Sequence, residues 1–501
     1  MVESISHITE ANQELDRSYR ILEGNNKMAD ILDGKEFQLL LEREKKLRGP
    51  AKGGVIECID GRLPDVHIFG RAKNVSEMPA SIIPITNDSG DPRMDAPRLE
   101  QTLLDTARLG EDRPLVQFIA SHRSGTTDHN CGRVKLGQGK IPPEFDPELP
   151  PHVAARNIII NGTIPLIEST YKRLQLNEGM QPLDQVGVPI EIDTDTLGVE
   201  LLGLKGEDGI SSARELLTSY QYTNTVTGQS TNMLLKDRIE LLAGKNLGKF
   251  GAHNEAFTKE ESFLKYYSAV VSITEVLMND TTNYIGLSNK VSRFIEANYN
   301  KLTEEQKQLV KFTMIRSVAM EYVTGLAAIP PGGPNHAFVH HDERAMAVAP
   351  GGKQIGRFSP GEQYFASTSS TDEAIIKDLH IGLSLLENNP KSKKPHIIFI
   401  SESVNTKDWL SYDSLPQRRA LQKQQGIPEE DRATDTSPAI STAIAKLRQL
   451  YNVIAADSAI KELMMDKKVE IYVLLVDENN GHTMDSKNYG TAYPHRFIFH
   501  R

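Results

Sequence analysis

The chain has 501 residues, 39% of them hydrophobic and 25% charged, and a net charge of −10. At about 100–200 residues per domain, this length predicts several domains with room for a large buried core. The acidic balance argues against a dedicated nucleic-acid surface, no apolar run approaches the roughly 18 residues that cross a bilayer, and two cysteines exclude a disulfide scaffold. The opening run, MVESISHITEANQELDRSYR, is polar and lacks an apolar signal core. A cytoplasmic setting, in which thiols stay reduced, is therefore expected. Up to residue 49 apolar residues recur at spacings of three and four, as in EFQLLLEREKKLRG, which predicts helices. From residue 50 the texture changes to short β-branched runs, GGVIECI, PLVQFIAS and GVPIEID, with one helical stretch, RLEQTLLDTARLG. Strands alternating with helices predict an α/β sheet over 50–209. Between 210 and 328 the helical period returns in SARELLTSY, NMLLKDRIELLAG, KEESFLKYYSAVVSITEVLM and TEEQKQLVKFTMIRSVAMEYVTGLA. Thr303 and Gln306 stand in capping-box spacing at the start of the last of these. IPPGGPNHA breaks the helix, and strand-like runs resume over 329–501.

The later strands repeat the earlier ones at a nearly constant spacing. FVHHDERAM aligns on IECIDGRLP, with His340 opposite Cys58, Asp342 opposite Asp60 and Arg344 opposite Arg62. PHIIFISES aligns on PLVQFIASH, and KVEIYVLLVD on GVPIEIDTDT. Three strand segments in one order, with a helical stretch before the middle one in each set, predict two copies of one α/β unit with helices inserted between them. His336, His340 and His341 fall in or beside one of these strands and are read as strand residues, not as a second metal set.

The two cysteines sit in chemically suggestive places. Cys58 and Asp60, two apart at a strand end, face one side of the sheet because strand side chains alternate. PLVQFIAS is expected to be a buried strand, and His122 lies where it ends, at the edge where α/β sheets build their sites. Cys131 follows in a loop rich in Gly, Thr and Asn. Either residue type alone reads as a buried thiol or a solvated imidazole. Together Cys58, His122 and Cys131 form a Cys2His set, which suits Zn2+ over magnesium or calcium and leaves a fourth position for water. His129, two residues before Cys131, is the rival imidazole; His122 is preferred because it ends a strand, whereas His129 would have to fold back within one loop.

The run Cys58-Ile59-Asp60-Gly61-Arg62, with His122 closing a later strand and Cys131-Gly132 beyond it, resembles the Cys-x-Asp-x-Arg and His…Cys-Gly signature of β-class carbonic anhydrases. The likeness is strongest to the carboxysome shell carbonic anhydrase family, a divergent branch of that class. The N-terminal helical region, the second copy without metal ligands, the run EIDTDTLGVEL and the long spacing from His122 to Cys131 all favour this branch. The resemblance covers about residues 50–200 by motif and 330–490 by architecture. It implies a catalytic β-carbonic-anhydrase-like unit and a degenerate copy packed as an internal pseudo-dimer, with further homo-oligomerisation. It also implies Zn2+ on Cys58, His122 and Cys131, and reversible hydration of CO2 to bicarbonate by zinc-bound hydroxide.

In that reading Asp60 accepts the hydrogen bond of the hydroxide, and Arg62 holds Asp60 ionised and in place. By resemblance, Asp60 swings onto zinc in a resting state when that pairing breaks. His67 and His129 are the candidate proton shuttles. Opposite the three ligands the second copy offers His340, Ser403 and a position near Tyr412, so it is expected to be free of metal. Carboxysome components are the partners the resemblance suggests, although the sequence has no long low-complexity N-terminal tail of the kind that tethers that branch. Two alternatives share the same residues: hydrolysis of carbon disulfide or carbonyl sulfide, and a non-catalytic assembly protein whose structural zinc takes Asp60 or His129 as its fourth ligand.

Overall fold

A computed structural model describes residues 30–32, 34–58, 82–87, 115–123, 164–165, 168–169, 172–173, 185–193, 198–202, 221–223, 230–232, Asp237, 239–240, Leu242, 260–281, 286–324, 345–348, 363–367, 371–387, 395–404, 423–424 and 438–477. The chain divides into two compact units, Gly34–His340 and a second made of Met1–Asp33 with His341–Arg501.

The first unit opens with helix α1, Lys35–Arg48, which buries Phe37, Leu40, Leu41, Glu44 and Arg48 at helical spacing. Lys45, Lys46 and Arg48 complement the negative end of its dipole, and Gly49 ends it at φ 76°, a conformation that glycine adopts at low cost. Five strands follow: β1 Lys52–Cys58, β2 Ile82–Asn87, β3 Leu115–Arg123, β4 Gln185–Asp193 and β5 Val199–Leu201. They form one sheet in the order β2-β1-β3-β4-β5, parallel except for β5. A short antiparallel pair, β6 Gln221–Thr223 and β7 Ser230–Asn232, stands apart. Val116, Phe118, Ile119 and Ala120 on β3, with Val188, Ile190 and Ile192 on β4, are all buried, so both faces of the sheet centre are covered.

Among the described residues of the unit three longer helices follow: α2 Glu260–Met278, α3 Leu287–Asn298 and α4 Glu304–Thr324. The capping box expected at Thr303 forms, the Thr303 N–H donating to Gln306 Oε1 at 2.9 Å and the Gln306 N–H to Thr303 Oγ1 at 3.3 Å. Helix α4 packs on β1, β3 and β5 as well as on α1 and α2. Ser317 Oγ accepts the Val199 N–H at 2.6 Å, and the Tyr299 hydroxyl donates to the Leu202 carbonyl, so the edge strand is pinned by the helices. The N-terminal helix is held by charge. Glu44 accepts from Arg316 Nε at 2.7 Å and from the Tyr267 hydroxyl at 2.5 Å, with all three residues buried. Burial alone would lower the Arg316 pKa, but the Glu44 carboxylate and the two tyrosines hold it above its ordinary value. Nearer the surface Arg43 meets Glu275 through two bonds of 2.9 and 2.6 Å.

The second unit contains β8 Ala345–Val348, β9 Gln363–Ser367, α5 Asp372–Glu387, β10 His396–Val404, α6 Pro438–Ala456, α7 Ser458–Met465 and β11 Val469–Asp477. Its sheet is wholly parallel, in the order β11-β10-β8-β9. Counting strands from each N-terminus, both sheets read second, first, third, fourth. The pairing between first and third strands also ends at matching places, Ile56 with Ile119 and Val348 with Ile400. The equivalence of PHIIFISES with PLVQFIASH therefore follows the sheet. The other two alignments do not keep register. With Ile400 on Ile119, Val348 falls on Ile56, ten residues away from the alignment of FVHHDERAM on IECIDGRLP. On the same basis Tyr472, not Val469, falls on Val188. Connections of unequal length separate the strands, and an apolar run carries no internal marker that would reveal a shift along its axis.

Candidate functional site

In the first sheet the chain runs from β1 outward to β2 and then back to β3 on the other side, so the order reverses between β1 and β3. Ligands of open α/β sheets bind outside the carboxyl ends of the strands at such a reversal. The pairing here has the matching form. β1 and β3 stay paired only to Ile56 and Ile119, after which β1 follows β2 as far as Cys58 with Asn87, and β3 follows β4 as far as Arg123 with Asp193. The sheet thus splits at its carboxyl edge. Cys58 ends the strand on one side of the split and His122 is the penultimate residue of the strand on the other.

His122 is 1% exposed and pairs with Ile192 on β4. It follows the buried strand residues Phe118 and Ala120 on the same face by alternation. Two of the five residues expected at the site are therefore brought to neighbouring strand ends. Asp60, Arg62 and Cys131 lie outside the described residues, as do His67, His129, His336, His340, His341 and Tyr412. Among the described residues no three His, Cys, Asp or Glu side chains form a group able to hold a metal; Cys131 and the Cys58 side chain are not among those described. Cysteine and histidine are residue types that zinc takes as ligands, and one of each lies at the ends of the two strands that border the split.

The opposite face of the same edge carries polar residues in one row. Ser121 pairs with Glu191 on β4, and Glu191 pairs with Glu200 on β5. Partners in register point to one face. The Ser121 hydroxyl lies 3.5 Å from Glu191 Oε1 and 3.4 Å from the Ile190 carbonyl oxygen. Ser121, Glu191 and Glu200 are 2%, 1% and 9% exposed. Sequence reasoning passes over this row, yet a signal for it exists: GVPIEI and GVELL each carry one glutamate inside an otherwise apolar run. A charged residue is rarely placed in a fully covered strand without a use for it.

A comparison with protein-family models finds no match for this chain, and a comparison with curated proteins finds none. In the second sheet the strand ends differ. Ser403 occupies the place of His122. Glu402, nearly buried on β10, pairs with Lys446 of α6 at 3.1 Å.

Proposed function

We propose that this chain is a zinc-dependent carbonic anhydrase of the β class, similar to the carboxysome shell family. The observation that carries the reading is the split between β1 and β3, with Cys58 and His122 at the two strand ends that border it. Cys58, His122 and Cys131 would hold the metal. When bound, zinc would supply a water acidified to a pKa of about 7. Asp60, two residues past the end of β1, would accept a hydrogen bond from that water and orient its lone pair toward CO2. Arg62 would hold the Asp60 carboxylate ionised through paired charge-assisted bonds. The second sheet, with its matching strand order, would be a degenerate copy of the unit that binds no metal and completes an internal pseudo-dimer.

The test is metal analysis together with CO2 hydration followed by stopped-flow. Cys58→Ser, Cys131→Ser and His122→Ala should each lose zinc and activity, while His129→Ala should keep most of the zinc. Arg62→Ala should keep zinc and lose turnover by about 10²-fold or more, since the acceptor it orients is no longer fixed. Stoichiometric zinc in both cysteine variants, or a zinc-loaded wild type that does not hydrate CO2, would refute the assignment.

A further inference from the structure

Where α1, α2 and α4 pack together, the first unit buries more positive charge than negative. Arg48, Arg316 and Glu44 are 5%, 0% and 1% exposed. Both oxygens of Glu44 are used, one accepting from Arg316 Nε at 2.7 Å and the other from the Tyr267 hydroxyl at 2.5 Å. Arg48 is left over. Its Nε has no hydrogen-bond partner among the described residues. Glu44 and Glu42 attract its charge without bonding to it, and Glu42 does so from the surface, where it meets Lys45. Burial, and less strongly the like charge of Arg316, act against the charged form of Arg48, yet a guanidinium stays protonated. Tyr266 and Tyr267 supply no counter-charge, because burial raises both well above the ordinary tyrosine range and they keep their protons. The carbonyl end of α1 carries only about half a charge, and its Leu47 carbonyl is already taken by Gln308 Nε2 at 2.6 Å. Glu321, another buried acid of α4, stands five residues past Arg316 and so about 140° around the helix from it.

We propose that this cluster holds a small monovalent anion of the halide class, bound to the Arg48 guanidinium between α1, α2 and α4. A buried charge without a partner is costly, and a bound ion of opposite sign removes that cost. The charge excess sets the valence. Two guanidinium groups against one carboxylate leave a single positive charge, which a monovalent anion neutralises and a divalent one overshoots. The closed packing of the helices sets the size, since a larger anion would have to displace buried side chains. The site uses none of the proposed zinc ligands, and its ion serves to hold α1 against the other two helices.

The test is urea unfolding of the full-length protein, followed by helical circular dichroism at one ionic strength, with chloride or sulfate as the added anion. Sulfate strengthens burial generally, so an ordinary salt effect favours sulfate. The wild type should instead be more stable in chloride. Each tenfold rise in chloride above its dissociation constant should raise the folding equilibrium constant of the first unit by close to tenfold. Arg48→Met should lose the chloride preference and, relieved of a buried unpaired charge, should be more stable than the wild type in sulfate. Crystals of the wild type grown in bromide should show anomalous density within hydrogen-bonding reach of Arg48, a result that does not depend on any variant folding. A wild type no more stable in chloride than in sulfate overturns the site, as does a chloride preference that survives in Arg48→Met. A bromide crystal with a protein carboxylate beside Arg48, or with no anomalous density there, overturns it equally.

Discussion

At Gly54 the sheet has no room for a side chain. A Cβ placed there would lie 2.2 Å from Oε1 and 2.8 Å from Cδ of Gln117, the residue paired with it on β3 and itself fully buried. The end of a glutamine can swing, but here it would swing within a closed core. Gly54→Ala should therefore cost about 1–3 kcal/mol, read as a lower urea midpoint at unchanged slope. Glu44 is a harsher case. Replacing it by Gln leaves the Arg316 guanidinium buried opposite a neutral amide, which should cost about 3–5 kcal/mol. The double variant Glu44→Leu with Arg316→Met should regain most of that loss, because the desolvation of both charges disappears together. A urea double-mutant cycle measures the coupling, and additive losses would show that the pair is not the unit that matters.

Among the elements, the helices α1, α2 and α4 enclose hydroxyls that must stay protonated. Burial, with help from Glu44, raises the pKa of the Tyr266 and Tyr267 hydroxyls well above the ordinary tyrosine range, and burial does the same at Tyr299. An acid whose pKa rises on folding contributes stability that is fully present below its unfolded value, about 10, and is lost as pH climbs beyond it. The first unit should therefore weaken steeply above about pH 10 while its buried tyrosines resist ionisation until it unfolds. Ultraviolet titration of tyrosinate alongside urea melts checks this, and Tyr267→Phe should flatten the slope by one proton. The sequence makes these elements readable to unequal degrees. The helices beginning near 35, 260 and 304 and the strands ending at Cys58 and Arg123 follow from period alone, since each has a long apolar pattern or a cap. Partners such as Glu44 and Arg316, 272 residues apart, carry no local sign of each other. The row Ser121, Glu191 and Glu200 depends on register, which is set across strands and not along them.

For the whole molecule, the two sheets with one strand order carry unequal chemistry. The first has His122 at the end of its third strand and the second has Ser403. If the chain is the proposed carbonic anhydrase, it should hold one zinc, and His340→Ala should leave both zinc content and CO2 hydration unchanged. Two zinc ions per chain by elemental analysis would contradict this.

The ion pair between α1 and α4 also bears on how the protein is made. Glu44 leaves the ribosome long before Arg316, and at roughly 5–20 residues per second the interval is on the order of tens of seconds. Throughout that time α1 has neither its buried guanidinium nor the apolar surface of α2 and α4 to cover Phe37, Leu40 and Leu41. Nascent chains of this protein should therefore expose an amphipathic helix to any chaperone that samples the ribosome exit, and release of that chaperone should follow synthesis of residue 324, not completion of the first sheet.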